Sequence, residues 1–148
     1  MNKLFIIILS LMLFTNCKTT ANISRSGLQS VSENLLGNFK DDYGISYTID
    51  RQVWIQHPNI KYHLLSYDSK GQYFIARNDH NNPSEAGLYS RIDVMDFSNM
   101  EPWLWGFCLT EYKAKTPEEA TNTQTANRTN PKKGCGGFPF SRMKKEVK

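Results

Sequence analysis

The sequence predicts a mainly β domain: a small antiparallel meander or barrel of about six to eight strands, with one helix after the strands. Aromatic and β-branched residues recur in short runs between residues 36 and 112. Turn-forming residues separate these runs, and a single helix-start signal follows the last of them. Consecutive strands joined by short turns form a meander, and closing the meander removes its exposed edges.

The strands are predicted from runs rich in aromatic and β-branched side chains. The runs span residues 45–49, 53–55, 60–67, 72–77, 88–97 and 103–112, and the first strand starts near residue 36. Residues 68–71 and the polar cluster 78–83 have the composition of turns. In the last run, period two places Trp103 and Trp105 on one face and Cys108 on the other.

The helix is predicted from residue 117 onward. Thr116 has the position of an N-cap, Pro117 occupies the first helical position, and Glu119 stands three residues after the cap. We expect the helix to run to about Asn127. Its body is rich in Thr and Asn, which are poor helix formers, so it needs support from the rest of the fold.

The first residues have the pattern of an export signal. Lys3 precedes an apolar run of eleven residues, 4–14, interrupted by one serine. As a helix this run is about 16 Å long, too short for a hydrocarbon core of about 30 Å. We predict a signal peptide over residues 1–16. The alternatives are cleavage as a lipoprotein before Cys17, and an ordinary secretory signal with a chance cysteine.

The lipoprotein alternative is the one we favour, with lipidation of Cys17. Asn16 stands where a strict lipobox has Gly or Ala, and this departure resembles the relaxed lipoboxes of spirochaetes. Acyl chains add about 0.8 kcal/mol per buried CH₂, so two or three of them make a lasting membrane anchor. Lys18, in place of Asp, favours the outer over the inner membrane. We therefore expect a lipid-anchored envelope protein, periplasmic or surface-exposed.

The mature chain divides into three predicted parts. Residues 17–34 are mostly small and polar and read as a lipidated N-terminus with a flexible tether, in which a short helix could form around residues 28–36. Residues 35–141 form the barrel-like domain with its helix. Residues 142–148 are predicted to be a frayed basic tail.

Charge excludes one class of partner. The full chain carries a net charge of +4, which falls to +3 when Lys3 leaves with the signal. This excess is small, and no basic stripe interleaved with aromatic residues accompanies it. Together with export, it leads us to expect no nucleic-acid partner.

The cysteine count predicts a disulfide. With Cys17 lipidated, Cys108 and Cys135 remain as an even pair in an oxidising compartment. Two free thiols or a metal pair are the alternatives, although no CxxC or HxxxH spacing supports a metal. Glycines around Cys135 give the backbone freedom to fold back, so that Phe138 and Phe140 can cover a barrel end.

Two resemblances accompany these patterns. Residues 37–39 look like the Gly-x-Trp strand start of lipocalins and related calycins, with Phe39 in place of Trp. Over residues 36–141 the chain is also similar to a family of spirochaete-type bacterial lipoproteins with no assigned reaction. The matching segments are 41–44, 75–79, 89–93, 107–112 and 134–138. The resemblance implies a calycin-like β domain with one disulfide in an export compartment, and no activity.

Catalytic chemistry has no signature in the chain. His57, His63 and His80 are not spaced as metal ligands on one element. The sequence contains no serine-nucleophile motif, no phosphate-binding glycine loop and no paired-carboxylate pattern. We therefore expect no enzyme, no cofactor and no metal.

Four strand residues are ligand-binding candidates: Arg77, Arg91, Trp103 and Trp105. For the two arginines, the structural alternative is pairing with Asp79 or Asp93. For the two tryptophans, it is a place in the core.

The sequence leaves three hypotheses for function. The first is a binding or interaction module that engages a protein or another envelope component. The second is a lipocalin-like carrier of a small hydrophobic ligand, and the third is an enzyme. An eight-stranded barrel is just wide enough to be filled by side chains or to hold one small ligand. Because the strands are short and rich in aromatic residues, we expect a mostly filled interior.

Overall fold

A computed structural model describes residues 27–146 and closes eight antiparallel strands into a barrel. The strands are β1 (Gly37–Asp41), β2 (Ser46–Ile49), β3 (Val53–Gln56), β4 (Ile60–Asp68), β5 (Tyr73–Asn78), β6 (Tyr89–Asp96), β7 (Trp105–Ala114) and β8 (Ser141–Lys145). Each strand pairs with the next, and β8 pairs with β1. The predicted fold class, a mainly β calycin-like barrel with one helix, is confirmed.

The closing strand corrects the prediction of a frayed basic tail over residues 142–148. Met143 is fully buried inside the barrel, while the neighbouring Arg142 and Lys144 remain partly accessible outside it. Asp41 of β1 and Trp105 of β7 are both paired with Met143, so this strand joins the two edges. One apolar residue between basic residues is too short an alternation to predict a strand. The basic composition therefore led to the wrong prediction of a tail.

The folded domain also begins earlier than predicted. The tether over 17–34 was expected to be flexible, but from residue 27 onward it belongs to the barrel domain. Two short 3₁₀ helices form there, Leu28–Ser30 and Glu33–Leu35. Three apolar side chains of this segment are buried in the barrel core: Leu28, Val31 and Leu35. The predicted signal peptide and Cys17 lie outside the described residues.

The 3₁₀ helices cap one end of the barrel. A Cβ at Gly27 would lie 2.2 Å from the carbonyl oxygen of Tyr67, so only glycine allows this close approach. Asn34 donates a 2.7 Å hydrogen bond to Asp96 at the end of β6. We call this the capped end; it carries the β2–β3, β4–β5 and β6–β7 turns.

Aromatic side chains fill the barrel interior. Trp105 lies at the centre, with its ring centroid 5.0 Å from that of Phe39 and 5.7 Å from that of Trp54. Trp54 in turn packs edge-on against Phe74 at 6.1 Å and Phe107 at 5.2 Å. Such edge-to-face pairs stabilise a core beyond the area they bury. The interior is therefore mostly filled, as expected.

The faces of β7 follow the predicted alternation from residue 105 onward. Trp105 and Phe107 face the interior, while Cys108 is buried on the outer side. Trp103 departs from the prediction, because it precedes the strand and lies on the outer surface near Arg142.

The helix α1 (Pro117–Asn122) covers the outer face of the barrel. The backbone N–H of Glu119 donates to the Thr116 hydroxyl, so the predicted N-cap is confirmed. Ala120 packs against Ile75 and Ala114. The helix ends five residues before Asn127, the predicted end, because Thr123 is already extended and the body contains poor helix formers.

Between residues 27 and 146, the structure contains no helix with the length and apolarity needed to cross a membrane.

A buried carboxylate, Asp93 on β6, holds α1 and the segment after it on the barrel. Arg91 donates two hydrogen bonds to Asp93, at 3.0 and 3.1 Å, and a third to the carbonyl of Thr121 in α1. Arg128 donates at 3.1 Å to the same carboxylate. Thr110 adds its hydroxyl at 2.6 Å. A buried charge is tolerated only when it is paired and hydrogen-bonded in this way.

A disulfide joins Cys108 on β7 to Cys135, as predicted, across a sequence separation of 27 residues. Phe140 is buried beside it with Ala126, on the outside of the barrel. Phe138 is 74% exposed. The expectation that both phenylalanines cover a barrel end is therefore wrong, because the disulfide holds this segment against the wall of the barrel.

Cys108→Ser should lower the midpoint of thermal unfolding under oxidising conditions. Closing a loop of this length stabilises by about 3–4 kcal/mol in the chain-entropy model, or roughly 10–15 °C in a domain of this size. Calorimetry of both proteins checks this, and the same pair measured with a reducing agent is the control. Equal melting under oxidising conditions would contradict a stabilising bridge.

Candidate functional site

The end of the barrel opposite the capped end carries two clefts. We call it the rim; its parts used here are the β3–β4 turn (57–59), the β5–β6 loop (79–88) and the C-terminal half of β7. The two clefts lie on either side of β5 and its loop. One opens at the mouth of the barrel and the other on its outer face.

The β5–β6 loop is held in place by buried amides. Asn78 donates hydrogen bonds to the carbonyls of Glu85, at 2.9 Å, and Tyr112, at 3.0 Å. Asn82 accepts from the backbone N–H of Lys61 and donates to its carbonyl, both at 2.9 Å. The loop is therefore fixed to β4 and β7, so that a ligand bound there would not have to order it.

The mouth cleft has a volume of about 190 Å³. Its lining is mainly apolar and aromatic: Ile60, Tyr62, Pro83, Leu109 and Tyr112, with Glu85 as its charged member. Tyr62 and Leu109 pack on the core, so this cleft is the outermost part of the barrel interior. Burial raises the pKa of the Tyr62 phenol, so its hydroxyl is neutral at pH 7.

The outer cleft, of about 380 Å³, is lined by charged and polar side chains. His63 on β4 and Arg77 on β5 are cross-strand neighbours that form its floor. His63 Nε2 lies 2.6 Å from Asp79 Oδ2, and His80 Nδ1 lies 3.6 Å from Asp79 Oδ1. This cleft gathers two imidazoles, a guanidinium and a carboxylate.

Asp79 is the ionised centre of the outer cleft. The backbone N–H of Asn81 donates to it at 2.8 Å, and His63 is its second partner. These two hydrogen bonds lower the pKa of Asp79 to about 2. The carboxylate is therefore charged at any ordinary pH and orients the imidazole of His63.

The outer cleft can bind polar or anionic groups. Arg77 is exposed, and its Nε donates to the carbonyl of Gly87 at 3.4 Å. Its guanidinium does not pair with Asp79, so its other N–H groups can donate hydrogen bonds to an anionic group. Within residues 27–146, no group of three or more His, Cys, Asp or Glu side chains could hold a metal ion.

The predicted ligand-binding candidates are not brought together. Arg77 lies in the outer cleft, whereas Arg91 is buried against Asp93 and Trp105 is buried in the core. Trp103 lies on the outer surface near the capped end, under the guanidinium of Arg142. The predicted arginine–aspartate pairing occurs for Arg91 and not for Arg77.

Sequence reasoning missed the rim residues around Arg77. The sequence places His63 in a strand and Asp79–His80 in a polar turn, and it indicates Asp79 only as a pairing partner for the arginines. His63 and Arg77 lie opposite each other only because of the register between β4 and β5. A bulge between Leu64 and Ser66 shifts that register. The polar turn itself was the only signal in the sequence.

Comparison with known protein families, with curated proteins and with solved structures finds no match to this chain. The calycin-like barrel is established by the structure. The resemblance to a family of spirochaete-type lipoproteins stays a prediction.

Asp79→Asn should remove an acid-sensitive contribution to stability. The folded state holds the pKa of Asp79 at about 2, below its ordinary value of 3.8, so the charged form is the stabilised one. Its contribution is present above about pH 4 and is lost as the pH falls towards 2. We expect the midpoint difference between wild type and variant to be constant above pH 5 and to shrink below pH 4. Thermal unfolding followed by circular dichroism measures it.

Ser84→Ala, which removes a hydroxyl from the same loop, is the control and should give no such pH dependence. An Asp79→Asn difference of the same size at pH 7 and pH 2.5 would contradict the assignment.

Proposed function

We propose that this chain is an exported lipoprotein whose β-barrel domain is a binding module that engages its partner at the rim. One observation carries the proposal: the two clefts lie at the end of the barrel opposite the segment through which the N-terminal chain arrives. A tethered module of this kind holds its anchor at one end and offers its binding groups at the other. No enzymatic activity is part of the proposal.

The position of Gly27 supports this orientation. It lies against Tyr67 at the capped end, ten positions after Cys17 in the sequence. A fully extended segment of that length spans at most about 35 Å. An acylated Cys17 would therefore keep the capped end near the bilayer and leave the rim open to the surroundings.

The filled interior favours a module over a carrier. Ligand pockets for drug-sized molecules have volumes of about 300–1,000 Å³, and the mouth cleft has about 190 Å³. Trp54 and Trp105 occupy the space that a carrier would keep for its ligand. One observation still supports the carrier hypothesis: Tyr62 and Leu109 give the mouth cleft an apolar lining. The volume of this cleft limits such a ligand to a few atoms.

The two clefts differ in chemistry, and this indicates the kind of partner. The mouth cleft suits one apolar or aromatic group, beside the exposed ring of Tyr112. The outer cleft offers Arg77 and two imidazoles to a carboxylate or another anionic group. A protein or envelope component that presents both groups side by side would satisfy both clefts at once.

Lipidation at Cys17 is directly measurable. Cells grown with a clickable fatty acid should label the protein, and mass spectrometry should find the mature chain beginning at an acylated Cys17. Cys17→Ala should abolish the label and leave an unprocessed precursor. A wild-type chain that begins at another residue, or carries no acyl mass, would refute the anchor.

Partner binding at the rim can be mapped by position. A photo-crosslinking amino acid placed at Ser84 on the rim should give a discrete adduct in intact cells, because Ser84 lines the mouth cleft. The same amino acid at exposed Lys70, on the β4–β5 turn of the capped end, is the matched control. Arg77→Ala should weaken the Ser84 adduct about tenfold if it removes a charge-assisted contact. Equal adducts at both positions, or none at Ser84, would contradict binding at the rim.

A further inference from the structure

Phe138 has the highest exposed fraction, 74%, among the large apolar side chains that the structure describes. It follows Gly136 and Gly137, which have φ angles of 60° and 95° and turn the chain sharply. Cys135 and Phe138 exchange two backbone hydrogen bonds of 2.9 Å, and Cys135 is joined to Cys108 on β7. The disulfide therefore fixes the turn that presents Phe138 to solvent.

An apolar groove of about 350 Å³ lies next to this turn. Its lining includes Pro139 and Phe140, which follow the turn, and Phe97 and Met100 of the β6–β7 loop. Met100 and Leu104, in the same loop, are exposed. The apolar surface thus continues from the tip at Phe138 to the loop at the capped end.

Cations surround this apolar surface. Lys132 and Lys133 are exposed directly before the turn, and Lys132 lines the groove. Lys144 of β8 has its ammonium 5.4 Å from the ring centre of Trp103. Of the acidic side chains nearby, Asp42 is already paired with Arg142 at 2.9 Å, which leaves Asp96 and Glu101 against the three lysines. The surface is therefore positively charged.

We propose that this surface docks on an anionic lipid bilayer. We call it the aromatic–basic face and define it by six residues: Met100, Leu104, Lys132, Lys133, Phe138 and Lys144. Exposed apolar tips among lysines match a bilayer interface, where apolar side chains enter the headgroup region and lysines meet anionic phosphates. The inference rests on the proposed lipid anchor, because it concerns the membrane that the anchor would hold nearby.

The location of the face supports a bilayer over a protein partner. Its β6–β7 loop begins at Asp96, which is hydrogen-bonded to Asn34 of the N-terminal cap. The face therefore lies beside the N-terminal cap, whose described part begins at Gly27, whereas the clefts of the rim lie at the other end. Once anchored, the domain meets the bilayer at high effective concentration, so even a weak surface contact is occupied.

The contact can be measured without the anchor. The chain from residue 17 onward with Cys17→Ser contains the whole barrel and carries no acyl group. We expect it to sediment with vesicles of phosphatidylglycerol and phosphatidylethanolamine at least about tenfold more than with phosphatidylcholine vesicles, and less at 0.5 M NaCl. Phe138→Ser and the pair Lys132→Gln, Lys133→Gln should each reduce binding to the anionic vesicles severalfold.

Tyr112→Ser is the matched control, since it removes an exposed aromatic ring next to a lysine at the rim, and it should bind like the parent. The side chains substituted within the barrel domain are all exposed, and equal thermal midpoints would verify that the variants fold. No binding to anionic vesicles, equal binding to neutral ones, or an equal loss in Tyr112→Ser would overturn the proposal. So would a crosslink from residue 138 to a protein without vesicle binding. Acylation of Cys17 is measured separately, so failure of the anchor and failure of this face are distinguishable.

Discussion

The carboxylate of Asp93 is the contact on which the outer layer of this domain depends. It is fully buried on β6 and accepts hydrogen bonds from Arg91, Arg128 and a threonine hydroxyl. Burying one charge costs several kcal/mol, which only well-placed partners offset. Here the partners also reach outward: Arg91 holds α1 through a backbone carbonyl, and Arg128 holds the β4–β5 turn through the carbonyls of residues 71 and 72. The segment that leads to the disulfide and to Phe138 is therefore fixed by an ion pair as well as by a covalent bond.

Inside the barrel, close packing leaves little room for a ligand. Eight strands enclose a space that a few aromatic rings fill, with Trp54 and Trp105 at the centre. The side chains that could bind a partner are consequently found on the surface. The rim carries imidazoles and Arg77 around an ionised Asp79, and the wall near the capped end carries the aromatic–basic face. A solid interior makes the two surfaces independent of each other, since neither needs the barrel to open.

Short alternating runs predicted six of the strands within about two residues of their observed limits, because period two is a local property of the chain. The elements that close the barrel were less visible. Strand β8 shows only Met143 as an inward residue, and the cap depends on apolar residues spaced three and four apart in a polar segment. The site was harder still. His63 and Arg77 become neighbours only through the pairing of β4 with β5, and a bulge in that pairing cannot be read from composition.

Closure of the barrel joins Phe39 to Lys145 and so makes the fold depend on its most distant parts. Contacts of such high sequence separation form slowly, and until they form, β1 and β7 each leave an edge unpaired. The barrel therefore cannot close until β8, its last strand, is available to pair with both edges. The same dependence makes a premature stop before residue 141 costly. Such a product would keep two open strand edges and would be prone to aggregation.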